Sequence, residues 1–485
     1  MRLLFSLFFL SLIPLSAEAQ FGSFGVTDAR SLGMGNTYTA TTYDLYAIGK
    51  NPGMLARRED PCKVTIIMPN ITAQHYGVGK TLSTFDYYSS NKIGDNGLIS
   101  INKEKFRLAL ENNGKLFVDA LLGFFSVAYH PGERIGSFAF AMSDYITGYM
   151  DIPDVILDVN YGNDIPDGRF SLDNFDFKSW WLRTYTLSYS RFIYQGGSIY
   201  NSSPALIKNI SGGITAKYVL AYAYTDIGLT ANAYYSTATQ TLSGSYNAHA
   251  IFAFSEDLGI LNSFDQGNKK KPPGFLKLKP VGRGFGIDIG AGAELRKGWI
   301  VGLAVTDIGM IKWQGSARNS DFEGFIDISG VIDYQTLDSL STGISLVRER
   351  REDFNTSMPT AARLGVALKF EEMFNRFPGK LLVGVDYNQG LNNQPSNYTA
   401  SRFSLGFEYH YKPVWPIFLG GYTIDFLGIS RAAIGLGYKT WLVDLYVSTI
   451  DIIPIVSGGD RFSASLVARW KLLCGRAKNR VPECY

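Results

Sequence analysis

The feature that most constrains this chain of 485 residues is a strict alternation of apolar and polar side chains. From Phe285 to Leu295 every second residue is apolar, and the residues between them include glycines, Asp288 and Glu294. The same period of two, which is the side-chain repeat of a β-strand, recurs at 214–224, 364–370, 403–411 and 462–472. The runs approach the roughly 9–11 residues with which a tilted strand crosses hydrocarbon. Strands of soluble sandwiches alternate too, but they are typically about 5–6 residues long, so the length favours a transmembrane antiparallel β-barrel.

Residues 1–19 have the pattern of a secretory signal peptide. Arg2 supplies a positive charge, 3–15 is apolar, and Ala17-Glu18-Ala19 is a cleavage site that would make Gln20 the mature N-terminus. The apolar stretch is shorter than the roughly 18 residues of a membrane-spanning helix, and no later stretch reaches that length. We therefore expect an exported protein of the cell outer membrane. Besides helices, closed β-barrels are the structures in which all backbone hydrogen-bonding groups are satisfied in lipid.

Composition agrees with this class. The chain holds 51 Gly, 29 Tyr and 32 Phe, which suits tight turns and strands flanked by aromatic residues. Its formal net charge is +3, and such a balance gives no reason to expect nucleic acid as a partner. A β-rich secreted protein in solution remains the alternative that composition leaves open.

The alternation predicts sixteen strands, an even number as expected for a bacterial barrel of one chain. Two Thr-Asp-Ile-Gly sequences interrupt the pattern, and we interpret them as strand ends that turn at Gly228 and Gly309. The predicted strands are 62–78, 119–130, 135–147, 182–194, 209–226, 229–239, 242–254, 283–296, 299–313, 360–371, 380–390, 400–412, 415–426, 430–440, 441–450 and 462–472.

The connections alternate between short and long, as they do in such barrels. The long ones, expected outside the cell, are 79–118, 148–181, 255–282 and 314–359. The first predicts a helix over 101–112, the second is rich in aspartate, and the third is rich in lysine. Calcium or lipopolysaccharide phosphates could bind the charged loops, but solvated loops are the commoner explanation of such charge runs.

Residues 28–56 fit neither a strand nor a long helix. Gly33 and Gly35 flank Met34 and let the backbone approach a neighbour closely, and Asn51-Pro52-Gly53 is a turn signal. The small residues between them cannot build a core of their own. We expect a compact segment that a larger structure encloses.

This stretch resembles the N-terminal signature of FadL-type outer-membrane barrels, a superfamily that includes PorV of the type IX secretion system. The matching residues are Ala29-Arg30-Ser31, Gly33-Met34-Gly35, Ala40, Asp44 and Asn51-Pro52; Gly53 and Lys50 depart from the usual alanine and aromatic residue. The resemblance implies fourteen strands around an N-terminal plug. It extends less specifically to Met358–Val366.

The resulting domain prediction is a signal peptide at 1–19, a plug at 20–61, a barrel at 62–473 and a periplasmic tail at 474–485. Arg30, Asp44 and Lys50 should face charges on the inner wall, because an unpaired charge in a lumen with little water is costly. The candidate wall partners are Arg363, Asp386, Glu408 and Arg469.

Catalytic and metal motifs are missing from the sequence. The four histidines, His75, His130, His249 and His410, are scattered singly, and no His-Glu-x-x-His, Cys-x-x-Cys or Gly-x-Ser-x-Gly motif occurs. His410 and Glu408 share a face, but a charged barrel lumen explains them better than acid–base chemistry. We expect no enzyme, no metal site and no cofactor.

The three cysteines lie at the ends of the predicted barrel. Cys62 opens the first strand, whereas Cys474 and Cys484 follow the last, and the ends of a closed barrel meet. One disulfide is expected in an oxidising compartment, with an odd thiol left over. Cys62–Cys474 is favoured slightly over Cys62–Cys484, and Cys474–Cys484 is the rival pairing.

Two functions follow from the resemblance. The barrel admits hydrophobic compounds past its plug, or it is a non-conducting partner or shuttle of type IX secretion proteins. A structural outer-membrane protein is a third reading. The expected partners are membrane lipid and lipopolysaccharide, and either hydrophobic small molecules or secretion-system proteins.

Overall fold

The computed structural model describes residues 27–76, 115–151, 168–196, 206–258, 277–329, 345–425, 430–457 and 461–475, apart from 237, 240, 316, 375 and 396. Strands dominate these residues, and none of the helices among them is long and apolar enough to cross a membrane. The signal peptide, the predicted helix at 101–112, the lysine run at 269–271, residues 152–167 of the aspartate-rich loop and Cys484 lie outside the described residues.

Eighteen strands form one continuous antiparallel sheet. They are β1 Cys62–Tyr76, β2 Lys115–Gly132, β3 Gly136–Asp151, β4 Gly168–Gln195, β5 Ile207–Ser236, β6 Thr241–Phe254, β7 Gly282–Leu295, β8 Trp299–Trp313, β9 Arg318–Ser329, β10 Ser345–Arg350, β11 Phe354–Ser357, β12 Ala361–Lys369, β13 Lys380–Gly390, β14 Ser401–His410, β15 Ile417–Asp425, β16 Ser430–Lys439, β17 Val443–Thr449 and β18 Arg461–Cys474.

Fourteen of these strands close into a barrel. The ring runs from β1 to β5, continues through β7, β8 and β12 to β18, and closes where β18 pairs with β1. The prediction of an all-β barrel of about fourteen strands is confirmed. A closed barrel with a plug is also the architecture that the resemblance to FadL-type barrels implies.

The count of sixteen was wrong for two reasons, both of which concern β5. This strand has 30 residues and passes straight through Gly228, where a turn was predicted, so two predicted strands are one. Its second half pairs with β6, which leaves the ring and continues through β9 to β10 as an outer sheet. Gly309 likewise lies inside β8, not at its end.

The sheet is inside-out compared with a soluble protein. On β7 burial alternates residue by residue, with Phe285 69% exposed on the outer face and Asp288 fully buried on the inner one. The same alternation occurs on β14 and β16. An apolar exterior around a polar interior is the pattern of a transmembrane barrel.

The two ends of the barrel differ. At the seam end, where β1 begins and β18 ends, short turns connect β2 to β3, β7 to β8, β14 to β15 and β16 to β17, and a disulfide joins Cys62 to Cys474 across 412 residues of sequence. The opposite, far end carries the long connections and the outer sheet. The helices are short: α1 Ala29–Gly33, α2 Phe370–Met373 and α3 Ile452–Ser457, with 3₁₀ turns at Asp44–Ala47, Pro52–Ala56, Glu256–Leu258 and Arg296–Gly298.

Candidate functional site

Residues 27–56 lie inside the lumen, and nearly all of them are buried. Two side chains shape the segment locally, since Asp28 caps α1 by accepting from the Ser31 amide at 3.0 Å and Asn51 caps the turn at Pro52 by accepting from the Gly53 amide at 3.0 Å. Gly35 has φ +62°, a left-handed conformation that side chains disfavour. We call residues 27–56 the plug.

The plug backbone lies directly on glycines of the barrel wall. A Cβ atom added to Gly406 would overlap the Met34 carbonyl, and one added to Gly302 would overlap the Thr39 carbonyl. These glycines face inward on neighbouring strands, so together they form a smooth band that we call the glycine belt. Its members are Gly213, Gly290, Gly292, Gly302, Gly365, Gly384, Gly406 and Gly421.

Hydrogen bonds fix the plug to the same side of the wall. The Asp386 carboxylate accepts from the backbone amides of Tyr38 and Thr39 at 2.8 and 2.6 Å. The Arg363 guanidinium donates to the Gly49 carbonyl at 2.8 Å, and the Ser448 hydroxyl donates to the Ala29 carbonyl at 2.6 Å. Backbone groups that have no partner within the short plug are thereby satisfied.

Arg30 of the plug is fully buried and faces Glu408 on β14 at 2.6 Å. Its guanidinium also lies over the rings of Tyr43 and Tyr46, with 4.9 and 5.8 Å to the centroids. Burial alone would lower the pKa of Arg30, but the charge of Glu408 raises it above the usual value. Arg30 is therefore held as a cation inside the protein by its pairing with Glu408.

Asp44 joins the plug to the wall near the seam. Its carboxylate lies 2.8 Å from Nε2 of His130, accepts from the Thr65 hydroxyl at 2.9 Å, and faces Arg469 at 3.6 Å. Burial opposes ionisation, yet the hydrogen bond from His130 and the charge of Arg469 leave the pKa of Asp44 below its usual value. Its φ of +50° is one that Asp and Asn tolerate better than most residues.

Lys50 pairs within the plug and not with the wall. Its ammonium group contacts the Asp28 carboxylate and lies 2.7 Å from the Ser31 hydroxyl. Burial lowers the pKa of Lys50, against the opposing charge of Asp28. Its backbone carbonyl accepts from Arg363 at 3.3 Å, so one of the four candidate wall charges still contacts this residue.

The structure brings the predicted plug residues together in one place. Arg30, Gly33, Gly35, Asp44, Lys50, Asn51 and Pro52 all lie in the lumen against the wall. Sequence reasoning missed the glycine belt, the role of His130, and a 2.5 Å ion pair between Arg57 and Glu294. The belt had a signal in the sequence, because its glycines fall on the polar face of the alternating strands.

A cavity of about 120 Å³ lies between the plug and the wall formed by β1 to β5. Its lining is mixed, and the charges in it are bonded to protein groups, as in the contact of Lys217 with Asp307 at 2.6 Å. The apolar lining residues include Leu45, Ile48, Leu121, Trp180, Leu182 and Met358. The cavity therefore lies on the side of the plug opposite most of the glycine belt.

A buried aromatic cluster adjoins the cavity towards the far end. Trp313 is fully buried, lies 5.1 Å from the ring of Tyr224 and 5.9 Å from that of Phe354, and donates to Thr356 at 2.9 Å. Trp180, Leu182 and Met358 belong to both the cluster and the cavity lining. The cavity is thus bounded by the plug on one side and by packed apolar side chains on another.

No group of three or more His, Cys, Asp or Glu side chains in the described ranges could hold a metal ion. What the arrangement offers chemically is a partly open, half-apolar space beside a segment that closes the lumen.

Acid should weaken the attachment of the plug through Asp44. Because its pKa is depressed in the folded protein, the stabilisation is present above the unfolded value, about 3.9, and is lost as the pH falls through the lower folded value. We expect the urea midpoint in detergent to hold from pH 7 to about pH 5 and to fall below about pH 4. Asp44→Asn, which keeps the backbone conformation, should have a lower midpoint at neutral pH and a shallower decline. Parallel curves for the two proteins would contradict this prediction.

No curated protein sequence matches the chain significantly. Among solved structures, the toluene transporter TbuX of Ralstonia pickettii is 14% identical, with 93% of this chain and 98% of that chain covered and a TM-score of 0.45. The P. putida toluene transporter TodX is 11% identical, with 94% and 97% covered and a TM-score of 0.41, and the CymD monoaromatic hydrocarbon channel is 13% identical, with 93% and 99% covered and a TM-score of 0.42. A family of unknown function, DUF5723, matches residues 56–449. Because this match spans most of the chain, the protein belongs to the DUF5723 family.

Proposed function

We propose that the protein is an outer-membrane barrel that binds small hydrophobic compounds and lets them pass beside its plug. The cavity between the plug and β1–β5 carries this proposal. The apolar exterior of the barrel suits a lipid environment, and the plug that closes the lumen would have to shift for a compound to pass.

The size and lining of the cavity indicate the kind of ligand. At about 120 Å³ it approaches the roughly 150 Å³ of an engineered apolar cavity in another protein that binds benzene, so a single small ring or a short chain would fill it. Leu45 and Ile48 on the plug and Leu121 and Leu182 on the wall line the cavity, and burying apolar surface there favours binding. A ligand in this space would touch plug and wall at once.

The cavity lies beside contacts that hold the plug to the same wall. Asp44 bonds to Thr65 on β1 and His130 on β2, and the turn at Pro52 packs on Gly213 of β5. Leu45 and Ile48 line the cavity, so a movement of these side chains would widen it. The passage would run along β1–β5.

A second candidate is a non-conducting partner in type IX secretion, as the PorV resemblance implies. The observation that favours it is the extent of plug attachment, with buried ion pairs at Arg30 and Asp44 and a further pair at Arg57, directly after the plug. A protein that never conducts needs no movable plug. Permeability measurements on vesicles distinguish the two functions.

Filling the cavity tests the proposal. Ala141 lines the cavity on β3, so Ala141→Phe should occupy the space and weaken toluene binding by at least tenfold, or about 1.4 kcal/mol. Binding and uptake would be measured in vesicles containing the full barrel. Ala432→Phe on β16, which has the same change on the outer face, is the matched control. Equal binding by Ala141→Phe and the original protein, or no toluene binding at all, would reject the function.

A further inference from the structure

The connection between β13 and β14 packs inside the protein at the far end of the barrel. It comprises residues 391–400, of which the structure describes all but 396, and we call it the inner loop. Its backbone lies against the end of β13, since a Cβ atom added to Gly390 would overlap the Tyr398 carbonyl. Asn397 is fully buried and Tyr398 is 6% exposed. The inner loop therefore does not project into solvent, where most loops lie.

Hydrogen bonds fix the inner loop to the segment that precedes β12. The Asn397 amide group donates to the Thr360 carbonyl and to the Asn392 carbonyl, both at 2.9 Å. The Asn392 amide group in turn donates to the Met358 carbonyl at 2.7 Å. The Leu391 backbone amide donates to the Thr360 carbonyl at 2.8 Å. Because Met358 lines the cavity, these bonds hold the backbone of the inner loop beside it.

Tyr398 reaches from the inner loop across the lumen. Its ring lies 5.2 Å from that of Tyr149, in the edge-to-face arrangement that aromatic pairs favour. Tyr149 belongs to β3, whereas the inner loop begins on β13 and ends on β14. β14 is opposite β3 in the ring, since the way round through β4, β5, β7, β8, β12 and β13 is as long as the way through β2, β1 and β18 to β15. The contact between the two tyrosines therefore spans the lumen.

This contact lies directly beyond the cavity. Tyr145 and Thr147 on β3 line the cavity, and Tyr149 is the next inward-facing residue of the same strand towards the far end. Its ladder partner on β2, Phe117, is buried as Tyr149 is. Neither Tyr149 nor Tyr398 lines the cavity itself. The two rings thus stand between the cavity and the far end of the barrel.

We propose that Tyr398 and Tyr149 form a gate at the far end of the cavity, and that a hydrophobic ligand enters when the Tyr398 ring swings away from Tyr149. This inference rests on the proposed function, because it supplies an entrance to the cavity that would bind the ligand. The bonds of Asn397 and Asn392 hold the loop backbone, so the ring turns about its own side-chain bonds while the inner loop stays in place. A single aromatic contact is a weak closure that thermal motion opens.

A gate controls how fast a ligand moves and not how tightly it is held. The contact between Tyr398 and Tyr149 is the same whether the cavity is empty or filled. Its removal should therefore speed association and dissociation alike and leave the dissociation constant unchanged. A residue that binds the ligand would change the dissociation constant instead.

Chemical access to the cavity tests the gate without a hydrophobic ligand. Ser143 lines the cavity, so Ser143→Cys, with Cys484 replaced by Ser, reports access by a small methanethiosulfonate reagent to the full barrel in detergent. Tyr398→Ala should raise the rate of modification at least tenfold. Tyr149→Ala should do the same from the opposite wall, with the inner loop unchanged. The matched control is Tyr438→Ala, which makes the same substitution on the outer face of β16.

Toluene exchange separates a failure of the gate from a failure of the proposed function. Modification rates of both alanine variants equal to that of the control would reject the gate, whether or not toluene binds. If the original protein binds no toluene, the proposed function is wrong, and the modification rates still decide the gate.

If the original protein binds toluene, Tyr398→Ala and Tyr149→Ala should exchange it at least tenfold faster, with dissociation constants within twofold of the original. Unchanged exchange rates with tenfold weaker binding would show that the two tyrosines hold the ligand, and the gate would be wrong.

Discussion

Gly406→Val is expected to force the plug away from the barrel wall. The added side chain would occupy the position of the Met34 carbonyl, and β14 cannot retreat because it is hydrogen-bonded to β13 and β15 on both sides. Overpacking of a close-packed site costs about 1–3 kcal/mol. Since each 1.4 kcal/mol is about tenfold in population, the displaced state should become roughly ten- to a hundredfold more common.

Two measurements would detect the displacement. Ion conductance in planar bilayers should rise, and a cysteine placed at the fully buried Thr42 should react with a water-soluble maleimide, in a background where Cys484 is replaced by Ser. Gly148→Val is the matched control, because Gly148 lies on the outer face of β3 and the nearest atom to an added Cβ is 3.6 Å away. A labelling rate for Gly406→Val equal to that of the control would contradict the model of a plug resting on the belt.

The second large effect is expected at the buried pair of Arg30 and Glu408, and it should be asymmetric. Glu408 has another cation at 3.3 Å, Lys439, whereas Glu408 is the one carboxylate that pairs with Arg30 among the described residues. Glu408→Gln therefore leaves a buried cation without an anion, at a cost of about 3–5 kcal/mol, and Arg30→Met should cost less.

A double-mutant cycle measures this asymmetry. Urea midpoints in detergent would be compared for Arg30→Met, Glu408→Gln and the combination of both. The combined variant should be more stable than Glu408→Gln alone, because it removes the stranded charge. Additive losses, or a larger loss for Arg30→Met than for Glu408→Gln, would show that the pair does not anchor the plug.

The barrel was predictable from sequence wherever a strand has lipid on one face and lumen on the other. That arrangement imposes the alternation seen on β7, β14 and β16. The outer sheet has no such environment, and β9 and β10 were therefore assigned to a loop at 314–359. A turn was predicted at Gly228 because glycine is common in turns. Pairing with both β4 and β6 keeps the chain extended there.

The site was predictable in outline and not in its contacts. The compact character of 28–56 follows from its glycines, its turn signal and its small residues. Which charge meets which depends on positions far apart in sequence, and so the pairing of Lys50 with Asp28 could not be foreseen. The glycine belt has the same character, since each of its members meets plug residues that are far away in the sequence.

The seam between β1 and β18 also sets an order of assembly. A ring whose first and last strands are 412 residues apart cannot be completed until the whole chain is available, and bringing such distant ends together carries an entropic cost. The plug immediately precedes β1, so it is present from the beginning. The strands of the wall can then assemble around the plug. A bond between Cys62 and Cys474 then marks a finished cylinder, because the two thiols become neighbours only when the last strand takes its place beside the first.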